Sequence, residues 1–370
     1  MNKRKHLFLA KDPFEKPKDD SLFLSCMMEN LHFQLESCED YRRICDHFGF
    51  SPDQIKSEAD LSLIPPITTS FLKQRRLFSM PTDQLAVKAT SSGTSGEKSI
   101  VGFDHRSLFL GIAMMVRYFA YTKVLSPIPV HYIVLGYEPS KENEMGAAKT
   151  AYGTTFFAPA LSRDYALIRK NGRYEANIEG IGKRLFKAAK GIFPVRFVGF
   201  PPYMYFLCQY LEENHIQLKL PRGSKVLLGG GWKQFSGQEI DRETLFAMTE
   251  RCLGLKKEDY LEFFSAVEHP LPYVKCKNGH FHIPRFSRVI IRDPQTWQPL
   301  PYYELGIINF LTPLVMSMPL LSIMTDDIGM LCPGESCSCG IDSDYFILAG
   351  RAGIHNIKTC AAEAAELMQH

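Results

Sequence analysis

The chain has 370 residues, 45% of them hydrophobic and 22% charged, a balance that excludes a disordered or fibrous protein. Its 43 basic and 40 acidic residues leave a net charge of +3, with the basic residues scattered rather than gathered into a stripe. Nucleic acid is therefore not the expected partner.

The N-terminus, MNKRKHLFLAKDPFEK, is basic but offers only residues 7–10 as an apolar run, too short for a secretory signal. Residues 21–48 space apolar side chains every three or four positions and predict one or two amphipathic helices, within a helical N-terminal part of about residues 1–80. Residues 61–69 (LSLIPPITT) predict a proline-broken connector. From about Leu85 onward, β-type runs at 131–137, 195–200, 225–231 and 288–293 alternate with helical stretches at 107–121, 181–190, 203–214 and 238–253. Such alternation predicts an α/β fold in layers. No repeat, low-complexity tract or flexible linker breaks the body. One folded unit is expected over residues 1–348, followed by a hinge and short tail at 349–370.

Residues 305–324 (LGIINFLTPLVMSMPLLSIM) form a stretch of 20 without a charge, the length of a spanning helix. Pro313 and Pro319 would each remove a backbone donor and clash with a preceding carbonyl, so two buried strands joined at Pro313 are expected instead, with no membrane span. Ten cysteines in a chain without an export signal read as reduced thiols in the cytoplasm. Cys26, Cys38, Cys45, Cys208, Cys252 and Cys332 sit in apolar or mixed surroundings and read as small core residues.

The clearest chemical signal is Thr90-Ser91-Ser92-Gly93-Thr94-Ser95-Gly96-Glu97-Lys98-Ser99. Seven consecutive small residues let a backbone approach a polyphosphate and offer it N–H and hydroxyl donors. An exposed Ser/Gly loop has the same composition, and the GxxxxGK[ST] phosphate-loop pattern is not met.

The order of further motifs resembles the adenylate-forming superfamily of acyl-CoA synthetases, peptide-synthetase adenylation domains and luciferases. The Ser/Gly/Thr run resembles its phosphate loop. Gly229-Gly230-Gly231-Trp232-Lys233 resembles the glycine segment along the adenine. Glu262-Phe263-Phe264-Ser265-Ala266-Val267-Glu268 resembles the aromatic-Gly-x-Thr-Glu motif. The resemblance puts Phe264 on the adenine and Glu268 on magnesium. Asp327, in Thr325-Asp326-Asp327-Ile328-Gly329, matches the ribose-binding aspartate, and Gly350-Arg351 with Ile357-Lys358 matches the hinge, with Arg351 near the ribose.

Within the superfamily the chain resembles the bacterial acyl-protein synthetases of the LuxE type and, next, the phenylacetate-CoA ligases. Its length, the Gly-Gly-Gly-Trp-Lys segment and the Val before Glu268 favour the first. The implied fold is the large N-terminal α/β domain of adenylate-forming enzymes, layered sheets plus a small β-barrel subdomain, with the C-terminal domain reduced to a short tail. The implied chemistry is ATP- and Mg²⁺-dependent activation of a fatty or aromatic carboxylic acid, then transfer to a thiol.

Three departures follow. Ser265 and Val267 replace Gly and Thr, and Asp326 replaces the Gly of Thr-Gly-Asp. The C-terminal domain's lysine has no counterpart, which leaves Mg²⁺, Lys98, Lys358 or a partner chain to neutralise the α-phosphate. Acyl-protein synthetases carry their acylated cysteine near the C-terminus, where Cys360 stands. An acyl reductase, acyltransferase or acyl carrier protein is the implied protein partner. An acyl-CoA or acyl-carrier-protein ligase and an inactive nucleotide-binding scaffold are the alternatives. Apolar linings for the acid are expected around Phe119, Phe156, Phe157, Phe200 and Tyr203.

A second metal is expected at Cys337-Ser338-Cys339-Gly340, a C-x-C pair in a Gly/Pro turn, together with Cys276, His280 and His282 some 60 residues earlier. Thiolates and imidazole from two turns suit a closed tetrahedral Zn²⁺ site. A similar arrangement in phenylacetate-CoA-ligase-like proteins points to Cys276, His282, Cys337 and Cys339, with Cys332 and His269 as substitutes. Unpaired buried thiols are the alternative.

Overall fold

The computed structural model describes residues 3–15, 21–91, 98–140, 143 and 145–351. They fall into two compact units. One takes the chain up to Ser91, the stretch that ends at Tyr121, and the described residues from Ala266 on; the other takes Thr122–Ser265.

The Thr122–Ser265 unit is built on a twisted sheet whose strands run in the order Tyr260–Phe264, Lys225–Gly229, Val195–Gly199, Val130–Tyr137, Ala160–Lys170 and Arg173–Ala176. All neighbours are parallel except the last pair, a hairpin turned at Asn171 and Gly172, both with positive φ. Parallel strands need crossovers, supplied by helices Gly146–Thr154, Ile178–Ala188, Pro201–Glu213 and Arg242–Leu253. The central strands VHYIVLGY, VRFVG and KVLLG are almost wholly apolar, as strands covered on both faces must be. Alternate residues Ile133 and Leu135, Val195 and Phe197, and Val226 and Leu228 share a core with Leu185, Leu207 and Leu211 of the helices. Each such side chain contributes about 2 kcal/mol by burial.

The helix ends follow from local chemistry. Prolines 201 and 202 open one helix where N–H groups have no partner to lose. Asp241 caps another by accepting the Thr244 N–H at 2.9 Å, and Gly254 ends it at φ +69°.

The other unit carries a six-stranded sheet: Phe281–His282, Tyr345–Arg351, Ser322–Cys332, Leu305–Leu311 and Arg288–Arg292 pair antiparallel in that order, and Ile67–Thr68 adds parallel to Ser322–Cys332. A separate hairpin joins Leu85–Thr90 to Ile100–Asp104. Helices Ser21–Ser37, Glu39–His47 and His105–Tyr121 belong to this unit. The amphipathic stretch at 21–48 thus forms two helices, broken at Cys38, which starts the second without a side-chain cap.

The uncharged stretch 305–324 departs from expectation. It begins with strand Leu305–Leu311, but the second strand starts only at Ser322, and the residues between form a buried loop. Pro313 and Pro319 have no N–H to give a ladder. Several of the loop's polar groups find partners: Asn30 and Gln34 donate to the Val315 and Met316 carbonyls at 2.9 and 3.0 Å, and within the loop Thr312 N–H donates to Leu321 C=O. Among the described residues no helix is long and apolar enough to cross a membrane.

Candidate active site and cysteine–histidine cluster

The hairpin ladder ends at the Thr90–Ile100 pair, and the next residues clasp one another. Ser91 N–H donates to the Ser99 carbonyl at 3.1 Å, and Ser99 N–H donates back to Ser91 Oγ at 3.0 Å. Thr90 and Ser99 are buried, whereas Lys98 is exposed. Ser92, Gly93, Thr94, Ser95 and Gly96 of the expected phosphate loop lie outside the described residues, as do Lys358 and Cys360.

The Ser99 hydroxyl donates to Glu268 Oε1, and both side chains are buried. Glu268 Oε2 accepts no hydrogen bond among the described residues. Sequence reasoning singled out Lys98 and passed over its neighbour. A small hydroxyl next to a candidate loop is too common to stand out, and its contact lies 169 residues away.

Behind Glu268, His269 is fully buried, stacked on Phe310 with ring centroids 4.9 Å apart. Its Nε2 lies 2.8 Å from Tyr273 Oη, which lies 2.5 Å from Ser287 Oγ, and Ser287 donates to the Leu311 carbonyl at 3.0 Å. That chain of donors assigns the imidazole proton to Nε2. Nδ1 is left without a partner among the described residues. Burial pushes the imidazole pKa down to about 3, so the ring is neutral. Its ring is held by Tyr273, apart from the cysteines for which it was named as a substitute ligand.

Asp327 and Arg351 are a register pair of the strands Ser322–Cys332 and Tyr345–Arg351, and Arg351 Nε donates to Asp327 Oδ1 at 3.1 Å. Burial raises the Asp327 carboxyl pKa, with Arg351 pulling it back. Asp326 points to the opposite face, as strand alternation requires, and lies 3.9 Å from Lys73 Nζ.

Gly230, Gly231 and Phe264 belong to the Thr122–Ser265 unit. Gly230 has φ +76°, and a Cβ there would come within 3.0 Å of the Phe200 ring. A Cβ on Gly229 would lie 2.4 Å from the ring of Phe263, its partner on the next strand. Backbone freedom and close approach therefore require glycine at both positions. Phe264 is half-buried at the end of its strand. Of the aromatic candidates in this unit, Phe200 and Tyr203 pack 6.5 Å apart, Phe157 is half-buried, and Phe156 is exposed beneath the Arg163 guanidinium. Phe119 is buried in helix His105–Tyr121 of the other unit.

In that other unit Cys276, His282, Cys337 and Cys339 converge, with one ligand atom from each lying within 4.8 Å of all the others. The sulfurs of Cys276 and Cys337 are 3.8 Å apart, and Cys339 Sγ is 3.2 Å from His282 Nε2. His282 Nδ1 is 2.7 Å from the Ser343 carbonyl, which fixes its proton on Nδ1 and turns the Nε2 lone pair toward the sulfurs. His280 stacks on Tyr345 with centroids 4.3 Å apart and sets Nδ1 3.3 Å from Cys337 Sγ. Burial, with its sulfur neighbours, pushes the Cys339 thiol up to about 12. Cys332 is buried beside Cys337 and Tyr345 and is not one of the converging four.

The family model for acyl-protein synthetase, LuxE, matches residues 2–368. The chain is 25% identical over 345 residues to the long-chain-fatty-acid–luciferin-component ligase of Vibrio harveyi, covering 89% of this chain and 83% of that one. It is 23% identical over 308 residues to the phenylacetate-coenzyme A ligase of Thermus thermophilus, covering 81% of this chain and 62% of that one. Among solved structures, 2-hydroxyisobutyryl-CoA ligase bound to 2-HIB-AMP and CoA superposes with a TM-score of 0.68 at 17% identity, over 92% of this chain and 76% of that one. That likeness shows the fold, the one expected from the order of the motifs. The match over nearly the whole length settles the family: the chain belongs to the LuxE acyl-protein synthetases.

Proposed function

We propose that this protein is an ATP- and Mg²⁺-dependent acyl-protein synthetase that activates a carboxylic acid as its acyl-adenylate and passes the acyl group to a thiol. A carboxylate oxygen is a poor leaving group. Its attack on the α-phosphate of ATP forms the mixed anhydride and expels pyrophosphate; a thiolate then attacks the acyl carbon and AMP departs. The protein's own contribution is positioning and charge.

The observation that carries the reading is Glu268, a carboxylate buried beside the clasp of the Ser/Gly/Thr loop with one oxygen held by Ser99 and the other free of hydrogen bonds among the described residues. An ionised carboxylate only accepts, and buried in this way it suits a cation. Magnesium held there would neutralise phosphate charge. Lys98 and Lys358 are the further cations proposed for the α-phosphate. Loop residues Thr90–Gly96 would supply donors, Gly230, Gly231 and Phe264 would face the adenine, and Asp327 with Arg351 the ribose. Cys360 is the proposed acceptor.

The Cys276–His282–Cys337–Cys339 cluster is proposed as a structural Zn²⁺ site. Zn–S bonds of about 2.3 Å in a tetrahedron place sulfurs about 3.8 Å apart, the separation of Cys276 and Cys337. The Ser343 carbonyl behind His282 is the outer-shell partner that metal-bound histidines use.

The reading is tested by ATP–pyrophosphate exchange over a panel of aliphatic and aromatic acids, with and without CoA. Acid-dependent exchange, with a hydroxylamine-sensitive acyl group on the protein in the absence of CoA, is expected. Acyl transfer only when CoA is present would favour the CoA-ligase reading, consistent with the similarity to the phenylacetate-coenzyme A ligase. Absence of exchange with every acid would leave a nucleotide-binding scaffold.

A further inference from the structure

Ser99 makes contacts at every polar atom it has. Its N–H and C=O are both engaged by Ser91, across the described ends of the loop, and its hydroxyl is given to Glu268. A residue with no exposed surface, tied at three points, has one orientation. A hydroxyl carries one proton, and here it goes to Oε1, so Glu268 is locked about its terminal torsion with Oε2 left over.

We infer that Ser99 is a positioning residue for the magnesium carboxylate: it fixes Glu268 so that one oxygen faces the metal, and it binds the carboxylate to the closing pair of the phosphate loop. The inference rests on the reading of Glu268 as the magnesium ligand. Glu268 hydrogen-bonds to no other side chain among the described residues, and without Ser99 its carboxylate would rotate and re-form its orientation on each metal encounter. Loss of an outer-shell partner typically weakens metal affinity about 10- to 100-fold. The affinity for magnesium-free ATP does not pass through this contact.

The test is calorimetric. The affinity for MgATP divided by that for magnesium-free ATP measures how far metal and nucleotide favour each other. It is measured on the full chain for the parent, Ser99→Ala, Ser99→Thr, Glu268→Gln and the Ser99→Ala/Glu268→Gln double variant. Ser99→Ala is expected to lower the ratio about tenfold, with magnesium-free ATP bound within about twofold of the parent. Ser99→Thr keeps the hydroxyl and is expected to keep the ratio. The double variant is expected to match Glu268→Gln alone, since both changes act on one contact. A parental ratio in Ser99→Ala, beside a lowered one in Glu268→Gln, overturns the role of Ser99 and leaves Glu268 in place. Equal losses in the Ala and Thr variants overturn it too, because buried volume rather than the hydroxyl would then matter. A parental ratio in Glu268→Gln removes the magnesium reading itself, and the role of Ser99 with it.

Discussion

Arg351 stands directly opposite Asp327 on the neighbouring strand, yet the guanidinium is 68% exposed while the carboxylate is 11% exposed. Burial wins over the ion pair, and the Asp327 carboxyl pKa lies above its ordinary 3.8. The folded chain then holds this proton more tightly than the unfolded chain. Stability is lost as pH rises from the unfolded value through the folded one, and the whole cost remains at neutral pH. A carboxylate kept at such a cost has a use. Asp327→Asn is expected to raise the melting temperature by about 2 °C and to weaken ATP binding about tenfold. Thermal melts and nucleotide titrations check both, and a variant that binds ATP as the parent does would take Asp327 out of the ribose site.

The helices and central strands were legible because burial imposes a period. LGG after KVL, the alternation of Ile133 with Leu135, and the four-residue spacing of Leu207 and Leu211 all follow from one face meeting a core. Strand Ala160–Lys170 escaped notice because Arg163, Asp164, Arg169 and Lys170 mask its apolar alternation. The stretch 312–321 reads as strand in the sequence but forms a loop, because apolar composition reports burial and not conformation. At the site, residue type and spacing point to Cys276, His280, His282, Cys337 and Cys339, and the resemblance to phenylacetate-CoA-ligase-like proteins narrows them to the four that converge around Cys337. The Ser99–Glu268 contact had no such signal. It is a long-range pairing of common residues, and topology alone brings them together.

His269 makes stability pH-dependent with the opposite sign to Asp327. Its pKa is about 3 in the folded chain against 6.5 ordinarily. Between those values the unfolded chain takes a proton that the folded chain refuses. Stability is therefore complete above pH 6.5 and is lost as pH falls toward 3. His269→Gln keeps a donor for Tyr273 and cannot ionise. It is expected to flatten the fall in stability over this window and to move the acid-unfolding midpoint down by roughly half a pH unit. Denaturant melts at steps of pH measure the slope; a slope equal to the parent's would mean that other groups set the acid limit.

Three sulfurs and an imidazole whose ligand atoms lie within 4.8 Å of one another have the donor set and spacing of a closed zinc site. With zinc bound, the thiols give up their protons and the loops carrying Cys276 and Cys337 are cross-linked. Purified protein is expected to hold close to one zinc per chain, and a chelator to lower the melting temperature by about 5 °C or more. Cys337→Ser is expected to abolish metal binding. Less than about 0.2 zinc per chain, with a melting temperature indifferent to chelator, would leave the four as unpaired thiols.

Cys360 is the last test, argued from sequence because it lies outside the described residues. Lys358 precedes it by two positions, and the following AAEAAELMQ is a strong helix former. A thiol at a helix N-terminus beside a cation has a lowered pKa, and the thiolate is the species that attacks an acyl-adenylate. The resemblance to acyl-protein synthetases implies an acylated cysteine near the C-terminus, where Cys360 stands. Activation and transfer use different groups, so the two steps separate by mutation. Cys360→Ser is expected to keep pyrophosphate exchange within about threefold of the parent, since the groups proposed to hold and neutralise the phosphates are all retained. It is also expected to lose the hydroxylamine-sensitive adduct, because a serine hydroxyl is scarcely ionised at neutral pH. Mass spectrometry after incubation with ATP, magnesium and the preferred acid reads the adduct directly. An acyl group still carried by Cys360→Ser would assign the acceptor to another side chain, and peptide mapping of that adduct would identify it.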